Sequence, residues 1–181
     1  MRYMRPGQLQ GPISTVQGFD ISHYQTNVDF LAAYGSGARF VIVKATEGGT
    51  FIDPKFQGHT DDAVNAGFVH GAYHFARPSS SSGSQQADFF LANGGTWVAD
   101  GMTLPGMLDL ENNPSGSQCY GLSQSDMVNW IVDFVDTYSG STGRFPMIYT
   151  TNNWWNTCTG DYSGFSGYSP LVLARIGNTF R

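Results

Sequence analysis

The sequence predicts an α/β fold in which six strands alternate with helices. Apolar runs of strand length recur between segments of helical periodicity, and polar side chains collect where those runs end. Such alternation favours parallel strands joined by right-handed crossovers. Six strands fit either an open doubly wound sheet or a β/α barrel. Neither usual glycine-rich phosphate loop follows a strand, which argues against nucleotide binding.

Each predicted element has a local signal. We interpret residues 1–16 as an irregular lead-in and residues 17–181 as one domain. The predicted strands are 16–22, 39–45, 68–75, 105–111, 146–150 and 170–174. The predicted helices are 27–34, 54–66, 85–93, a long one after Ser123 and a short one at 152–156. The Ser-rich stretch 79–83 is predicted to be a solvated connection.

The long helix after Ser123 has the strongest periodic pattern. Apolar residues recur at helical spacing along one face, at Met127, Trp130, Ile131, Phe134, Val135 and Tyr138. Ser123 and Asp126 fit a capping box at its start, with Asp in place of the commoner Glu. The strand 39–45 is apolar almost throughout, which indicates a sheet covered on both faces.

The strand 105–111 carries the most informative pair of residues. Side chains alternate along a strand, so Met107, Asp109 and Glu111 share one face, while Leu108 and Leu110 pack outward on helices. Residues two apart lie roughly 6.5 Å apart along the strand. Glycoside hydrolysis uses two carboxyl groups about 5 to 9 Å apart, one of which must keep its proton. The alternative is a strand-end acid pair with salt-bridge or capping duties.

Other polar residues stand at the predicted strand ends, where a β/α barrel places its active site. They are Asp20, Lys44, Glu47, Tyr73, His74, Asp109, Glu111 and Tyr149. By alternation His74 points away from Tyr73 towards a helix, which favours a core histidine. His23, just past the first strand, has no clear assignment. Of the adjacent Trp154 and Trp155, one is predicted to pack and the other to touch a sugar.

The amino-acid composition favours some classes of function and argues against others. Aromatic residues make up 14% of the chain, which suits a cleft that stacks sugar rings, although cores also use them. The net charge is −5 with only 9 Lys and Arg, so a nucleic-acid surface is not predicted. No apolar run approaches the about 18 residues of a membrane span. We expect a monomer with no metal or cofactor, and the N-terminus does not read as a signal peptide.

The two cysteines, Cys119 and Cys158, allow one disulfide. It would close a loop of about 40 residues and contribute roughly 3–4 kcal/mol in the chain-entropy model. Two unpaired buried thiols are the alternative. The polar, Gly-, Ser- and Asn-rich surroundings favour the bridge and an oxidising compartment.

Five ordered segments resemble one known family. They are Gly18–Gln25, Phe40–Gly48, Gly71–Pro78, Leu108–Glu111 and Ile148–Thr151. Together they resemble glycoside hydrolase family 25, the Chalaropsis-type lysozymes or N,O-diacetylmuramidases, and most closely its fungal branch. The resemblance implies an irregular barrel of five β/α units followed by three strands. It also implies secretion and cleavage of the β-1,4 bond between N-acetylmuramic acid and N-acetylglucosamine in bacterial peptidoglycan.

The resemblance also implies roles for individual residues. Glu111 is the general acid/base, and Asp109 orients the substrate acetamido group or stabilises the oxocarbenium-like state. Asp20 is a further acid of the site. The remaining implied assignments are Tyr73 and Tyr149 lining the cleft, Lys44 and Glu47 at its rim, and a disulfide between Cys119 and Cys158. Related chitinases need a further acid where Met107 stands.

The resemblance weakens at the end of the chain. The family continues with two more strands and a Trp-Gln-Tyr…Asp segment, whereas this sequence continues through Ile176 to Arg181. The expectation is an unclosed barrel that lacks its last two strands and one site acid, from a truncated gene model or a degraded copy. The alternative function is therefore a catalytically impaired cell-wall glycan-binding remnant of the same fold.

Overall fold

A curled sheet of mainly parallel strands organises the fold. The computed structural model describes residues 16–174, and the predictions for the preceding and following residues lie outside that range. The strands are β1 (Gln17–Ile21), β2 (Ala38–Glu47), β3 (Phe51–Ile52), β4 (Val69–Phe75), β5 (Met107–Asp109), β6 (Met147–Thr150) and β7 (Leu171–Leu173). Their order is β1-β2-β4-β5-β6-β7, all parallel, with β3 antiparallel to β2. The curl makes a half-barrel, which confirms the predicted barrel-like α/β class.

Helices follow most of the strands. They are α1 (Phe30–Gly35), α2 (Phe56–Asn65), α3 (Gly83–Phe90), α4 (Gln124–Thr142) and α5 (Asn152–Thr159). The first begins later than predicted because the Asp29 side chain accepts the Ala32 N–H and caps it there. A kinked turn, Leu91–Gly95, follows the third, and the backbone at Asn93 and Gly94 is no longer helical. Among residues 16–174, none of these helices is both long and apolar enough to cross a membrane.

The Ser-rich stretch differs from its prediction. Ser79 and Ser80 are exposed, but Gly83 is buried against α4, where a Cβ would overlap the Trp130 carbonyl. Ser82 caps α3 through a capping box with Gln85, so the helix starts two residues before its predicted start. The close approach of α3 and α4 therefore turns the end of this connection into a packing contact.

The outward face of the sheet forms the larger core. Leu108 and Leu110 are fully buried in a cluster with the apolar face of α4, as the alternation predicted. Tyr138 on α4 accepts a 2.6 Å hydrogen bond from the Gly106 N–H and donates one of 2.9 Å to the Gly95 carbonyl. This helix therefore fixes the segment that leads into β5.

His74 confirms the prediction of a core histidine. Its ring nitrogens lie 2.7 Å from Thr46 Oγ1 and 2.9 Å from Gln86 Oε1, and its ring stacks on Phe134. Burial lowers the pKa of His74 to about 4, although the Gln86 hydrogen bond opposes that shift. The histidine is therefore neutral in the folded protein at neutral pH.

Acid should weaken the contribution of His74 to stability. The unfolded chain takes up a proton on this side chain near pH 6.5, and the folded protein does so only near pH 4. The contribution of neutral His74 to the unfolding free energy is complete above pH 6.5 and falls by about 3 kcal/mol as the pH drops to about 4. We expect the difference in unfolding free energy between the wild type and His74→Gln to shrink over this window, measured by urea denaturation. A difference that does not change with pH would contradict this assignment.

A disulfide joins Cys119 to Cys158, which confirms the bridge over two unpaired thiols. It ties the loop before α4 to α5 across 39 residues of sequence.

The two adjacent tryptophans of α5 differ in burial. Trp154 is fully buried, and the partly exposed Trp155 donates its Nε1–H to the Tyr162 carbonyl. Trp154 is thus the tryptophan that packs.

Removal of the bridge should destabilise the fold without changing its topology. The double variant Cys119→Ser with Cys158→Ser is expected to lose about 3–4 kcal/mol of unfolding free energy, because the unfolded chain regains the entropy of the open loop. Denaturant unfolding of the variant and of the reduced wild type should agree. A loss below about 1 kcal/mol would contradict the entropic account.

Candidate active site

A cavity of about 200 Å³ opens at the carboxyl ends of the strands. It is lined by Asp20, Ser22, Tyr24, Lys44, Tyr73, Phe75, Met107, Asp109, Glu111 and Tyr149. Every predicted catalytic acid lies here, as do three of the four predicted binding residues, Glu47 being the exception. Two larger depressions, of about 700 and 570 Å³, lie elsewhere, and neither contains a buried carboxyl pair.

Strand register explains how residues distant in sequence meet in this cavity. Lys44 pairs with Tyr73, Tyr73 with Met107, and Asp109 with Tyr149 across successive parallel strands. Because all of these positions face inward, curling the sheet brings their side chains together. Their chain neighbours, such as Leu108, face the helices instead.

Asp109 is the most deeply buried acid of the cavity. The residue is 6% exposed, and its Oδ1 has no hydrogen-bond partner. Burial raises the pKa of Asp109 well above its usual range, and the charges of Glu111 and Asp20 raise it further. Lys44 opposes the shift only in part. A carboxyl in this setting holds its proton at a pH where an exposed aspartate has lost it.

Glu111 lies just past the end of β5 and is only half-buried. Burial raises its pKa, while hydrogen bonds to Tyr149 and Asp109 oppose that rise. The bond between the two acids raises the pKa of Asp109 and lowers that of Glu111. Glu111 is thus the more accessible of two adjacent acids whose pKa values are both raised. A carboxyl with a raised pKa can hold a proton and give it to a bound molecule.

Asp20 and Lys44 complete the charges of the cavity. Asp20 is the most exposed of the three acids, and partial burial of its carboxyl raises its pKa. Lys44 is 5% exposed and is the one cation among the residues that line the cavity. Three carboxyls facing one ammonium favour ligands that develop positive charge.

Glu47, predicted to lie at the cleft rim, contacts Lys44 beside the cavity. Its carboxylate lies 2.5 Å from Lys44 Nζ and 2.5 Å from Arg77 Nη2, and the residue does not line the cavity. Burial would raise the pKa of Glu47, but the hydrogen bonds and charges of these two cations outweigh it and lower the pKa. Glu47 therefore holds Lys44 in place instead of facing the cavity.

Neutralising Glu47 should change the pKa of an acid that it does not contact. In Glu47→Gln the positive charge of Lys44 is no longer balanced by its partner, so we expect the pKa of Glu111 to fall. Carboxyl titration by NMR of selectively labelled protein measures this shift. Asp61→Asn, which removes an exposed carboxylate on α2, is the matched control. An unchanged or higher pKa of Glu111 would contradict the link through Lys44.

Two tyrosines face the acids from neighbouring strands. Burial raises the pKa of Tyr149 to about 12, and the charges of Glu111 and Asp109 contribute. Burial also raises the pKa of Tyr73, with the charges of Asp109 and Asp20 adding to it. Both hydroxyls therefore remain protonated and can donate hydrogen bonds to a ligand.

Comparisons with known proteins show the family of this chain. The family model described as glycosyl hydrolases family 25 matches residues 19–179. The chain belongs to glycosyl hydrolase family 25. An N,O-diacetylmuramidase from Arthroderma benhamiae is 56% identical over 161 residues, 89% of this chain and 68% of that protein. One from Chalaropsis is 53% identical over 163 residues, 88% of this chain and 77% of that protein.

A solved muramidase structure has the same fold. The muramidase from Trichobolus zukalii has 59% sequence identity and a TM-score of 0.89, over 91% of this chain and 79% of its own. The half-barrel described here therefore corresponds to most of that structure. The predicted family is therefore confirmed.

Three further residues of the cavity were not predicted from the sequence. Ser22, Tyr24 and Phe75 line the cavity but were not singled out as site residues. Tyr24 and Ser22 follow β1, so their place just past a strand end was an available signal. Among residues 16–174, no group of three or more His, Cys, Asp or Glu side chains is placed to hold a metal ion.

Proposed function

We propose that this chain is a muramidase that hydrolyses the β-1,4 bond between N-acetylmuramic acid and N-acetylglucosamine in bacterial peptidoglycan. The observation that carries the proposal is the adjacent pair of Asp109 and Glu111, two carboxyls with raised pKa values that line one open cavity at the strand ends. The names of its relatives, N,O-diacetylmuramidase at 56% and 53% identity, support the same substrate.

Glu111 is the acid/base of the proposed reaction. It is the accessible member of the pair, so a glycosidic oxygen that enters the cavity can approach it. Glu111, with its raised pKa, gives its proton to that oxygen as the bond between the oxygen and the anomeric carbon breaks. The resulting carboxylate then takes a proton from the water that attacks the sugar, so Glu111 ends the reaction protonated, as it began.

Asp109 and Asp20 stabilise the positive charge that develops on the sugar. An oxocarbenium-like state carries positive charge at the ring oxygen and the anomeric carbon. Negative charge on fixed carboxyl groups in a partly dry cavity stabilises that positive charge strongly. Asp109, with its unpartnered Oδ1, can also accept an N–H from an acetamido group. Lys44 limits the repulsion among the acids before the substrate binds. Tyr73 and Tyr149 donate hydrogen bonds to sugar oxygens.

The setting of the reaction follows from the same proposal. We infer that the protein works outside the cell, because its substrate is a cell-wall polymer and its disulfide needs an oxidising compartment. Peptidoglycan is its partner, and the chain acts as a monomer.

A glycan-binding role without turnover is the weaker proposal. A site that only binds gains nothing from a pair of buried carboxyls whose pKa values are raised, because burying such groups costs stability. Perturbed acids of this kind are typical of catalytic sites. Hydrolysis therefore accounts for the geometry better than binding alone.

Substitution of the two acids tests the assignment. Glu111→Gln should abolish release of reducing ends from purified peptidoglycan, because an amide cannot donate the proton. Asp109→Asn should lower the rate by about 10²–10⁴-fold. Asp61→Asn is the control, since its carboxylate lies on exposed α2.

Two results would overturn the assignment. Unchanged lysis by Glu111→Gln would show that another group is the acid. Capture of the wild type on insoluble cell wall without release of reducing ends would favour the binding role. Chitin serves as a second substrate, because cleavage of chitin and not of peptidoglycan would favour a chitinase.

A further inference from the structure

A row of aromatic rings stands beside the acids and has no part in the mechanism above. Tyr24 lines the cavity yet is 78% exposed. Its ring centroid lies 4.2 Å from that of His23, and the His23 ring lies 5.7 Å from Phe51. The row begins at the loop after β1 and ends on β3. We call Tyr24, His23 and Phe51 the aromatic row.

The aromatic row is held from below by a buried carboxylate. Asp53 is 2% exposed, and its Oδ2 accepts the His23 N–H at 3.1 Å and lies 2.7 Å from His23 Nδ1. Its Oδ1 accepts the Lys55 N–H at 2.9 Å, and its own N–H donates to the Ala45 carbonyl at 2.8 Å. His23 is thus fixed in both backbone and ring orientation.

Phe51, the residue of the aromatic row nearest Lys44, is held by the pairing of β3 with β2. Phe51 follows a turn in which Gly48 has φ +55, and β3 pairs with the end of β2. The Lys44 ammonium lies 5.4 Å from the Phe51 ring centroid and 5.0 Å from that of Phe75. Phe51 and Lys44 are therefore held in position by the paired strands β3 and β2.

Exposure and rigidity together indicate a binding surface. A tyrosine so exposed contributes little to the core, and fixing its ring costs entropy that nothing inside the protein recovers. An amphipathic ring held in advance loses little freedom when a ligand covers it. The apolar C–H face of a pyranose is a flat partner for such a ring, and its hydroxyls remain in water.

We propose that the aromatic row is a positioning platform for a sugar ring of the glycan chain, next to the ring held over the acids. The inference rests on the proposed function. The platform lies at the β1 side of the cavity and Tyr149 lies on β6, so the glycan runs across the sheet between them. Tyr24 supplies the stacking face, and Asp53 acts through His23 to hold it.

Binding measured without turnover tests the platform directly. In the Glu111→Gln background, calorimetric titration with a purified peptidoglycan tetrasaccharide should show about tenfold weaker binding for Tyr24→Ala, the scale of one aromatic contact. Tyr24→Phe keeps the ring and should bind like its parent. Phe145→Ala is the matched control, because Phe145 is 40% exposed and pairs with Tyr168 at 4.4 Å before β6, away from the cavity.

Kinetics separate positioning from a structural role. Asp53→Asn weakens the hold on His23, so KM for peptidoglycan fragments should rise while kcat changes little. A purely structural Asp53 would lower the unfolding free energy and leave the KM of the folded fraction unchanged. That second result would overturn the role of Asp53 as a positioning residue.

The outcomes distinguish this inference from the proposed function. Tyr24-dependent binding in a protein that releases no reducing ends would uphold the platform and defeat the muramidase assignment. Normal hydrolysis, with KM and tetrasaccharide affinity unchanged in Tyr24→Ala, would overturn the platform alone. Failure of the Glu111→Gln parent to bind the tetrasaccharide at all would also overturn the platform.

Discussion

The arrangement of this molecule depends on keeping Asp109 buried beside a second carboxyl. Burying an acid is costly unless charges or protons compensate it, and here both do. The raised pKa of Asp109 lets the carboxyl keep a proton, and the charge of Lys44 offsets part of the remaining cost. Lys44 in turn needs Glu47, which also binds Arg77. A few ionic contacts near the ends of β2 and β4 thus influence two acids at the end of β5.

The two faces of the sheet treat buried polar groups in opposite ways. On the outer face, His74 finds partners in Thr46 and Gln86, so this network adds to stability. On the inner face, Asp109 Oδ1 has no partner. An unsatisfied buried acceptor costs the folded protein energy, which a ligand that supplies an N–H can recover. The presence or absence of hydrogen-bond partners thus distinguishes the structural polar network from the reactive one. The two lie close together, because His74 on β4 pairs with Leu108, the residue before Asp109 on β5.

Much of this fold follows from local pattern, and what did not follow depends on distant contacts. Strand alternation was enough to orient Asp109, Glu111 and His74, because each face of a covered sheet repeats every two residues. The pairing of Glu47 with Arg77 spans 30 residues, and no local pattern encodes it. β3 is two residues long, too short for periodicity to reveal. The burial of Gly83 depends on how closely α4 approaches, which only tertiary packing decides.

The excess of carboxyls over ammonium groups in the cavity has a consequence for inhibition. Asp20, Asp109 and Glu111 face a single Lys44 there. A sugar-shaped molecule with a basic ring nitrogen would carry a permanent positive charge where the natural substrate carries one only briefly. Such cations should therefore compete for this site more effectively than neutral or acidic analogues of the same shape, and added salt should weaken that advantage.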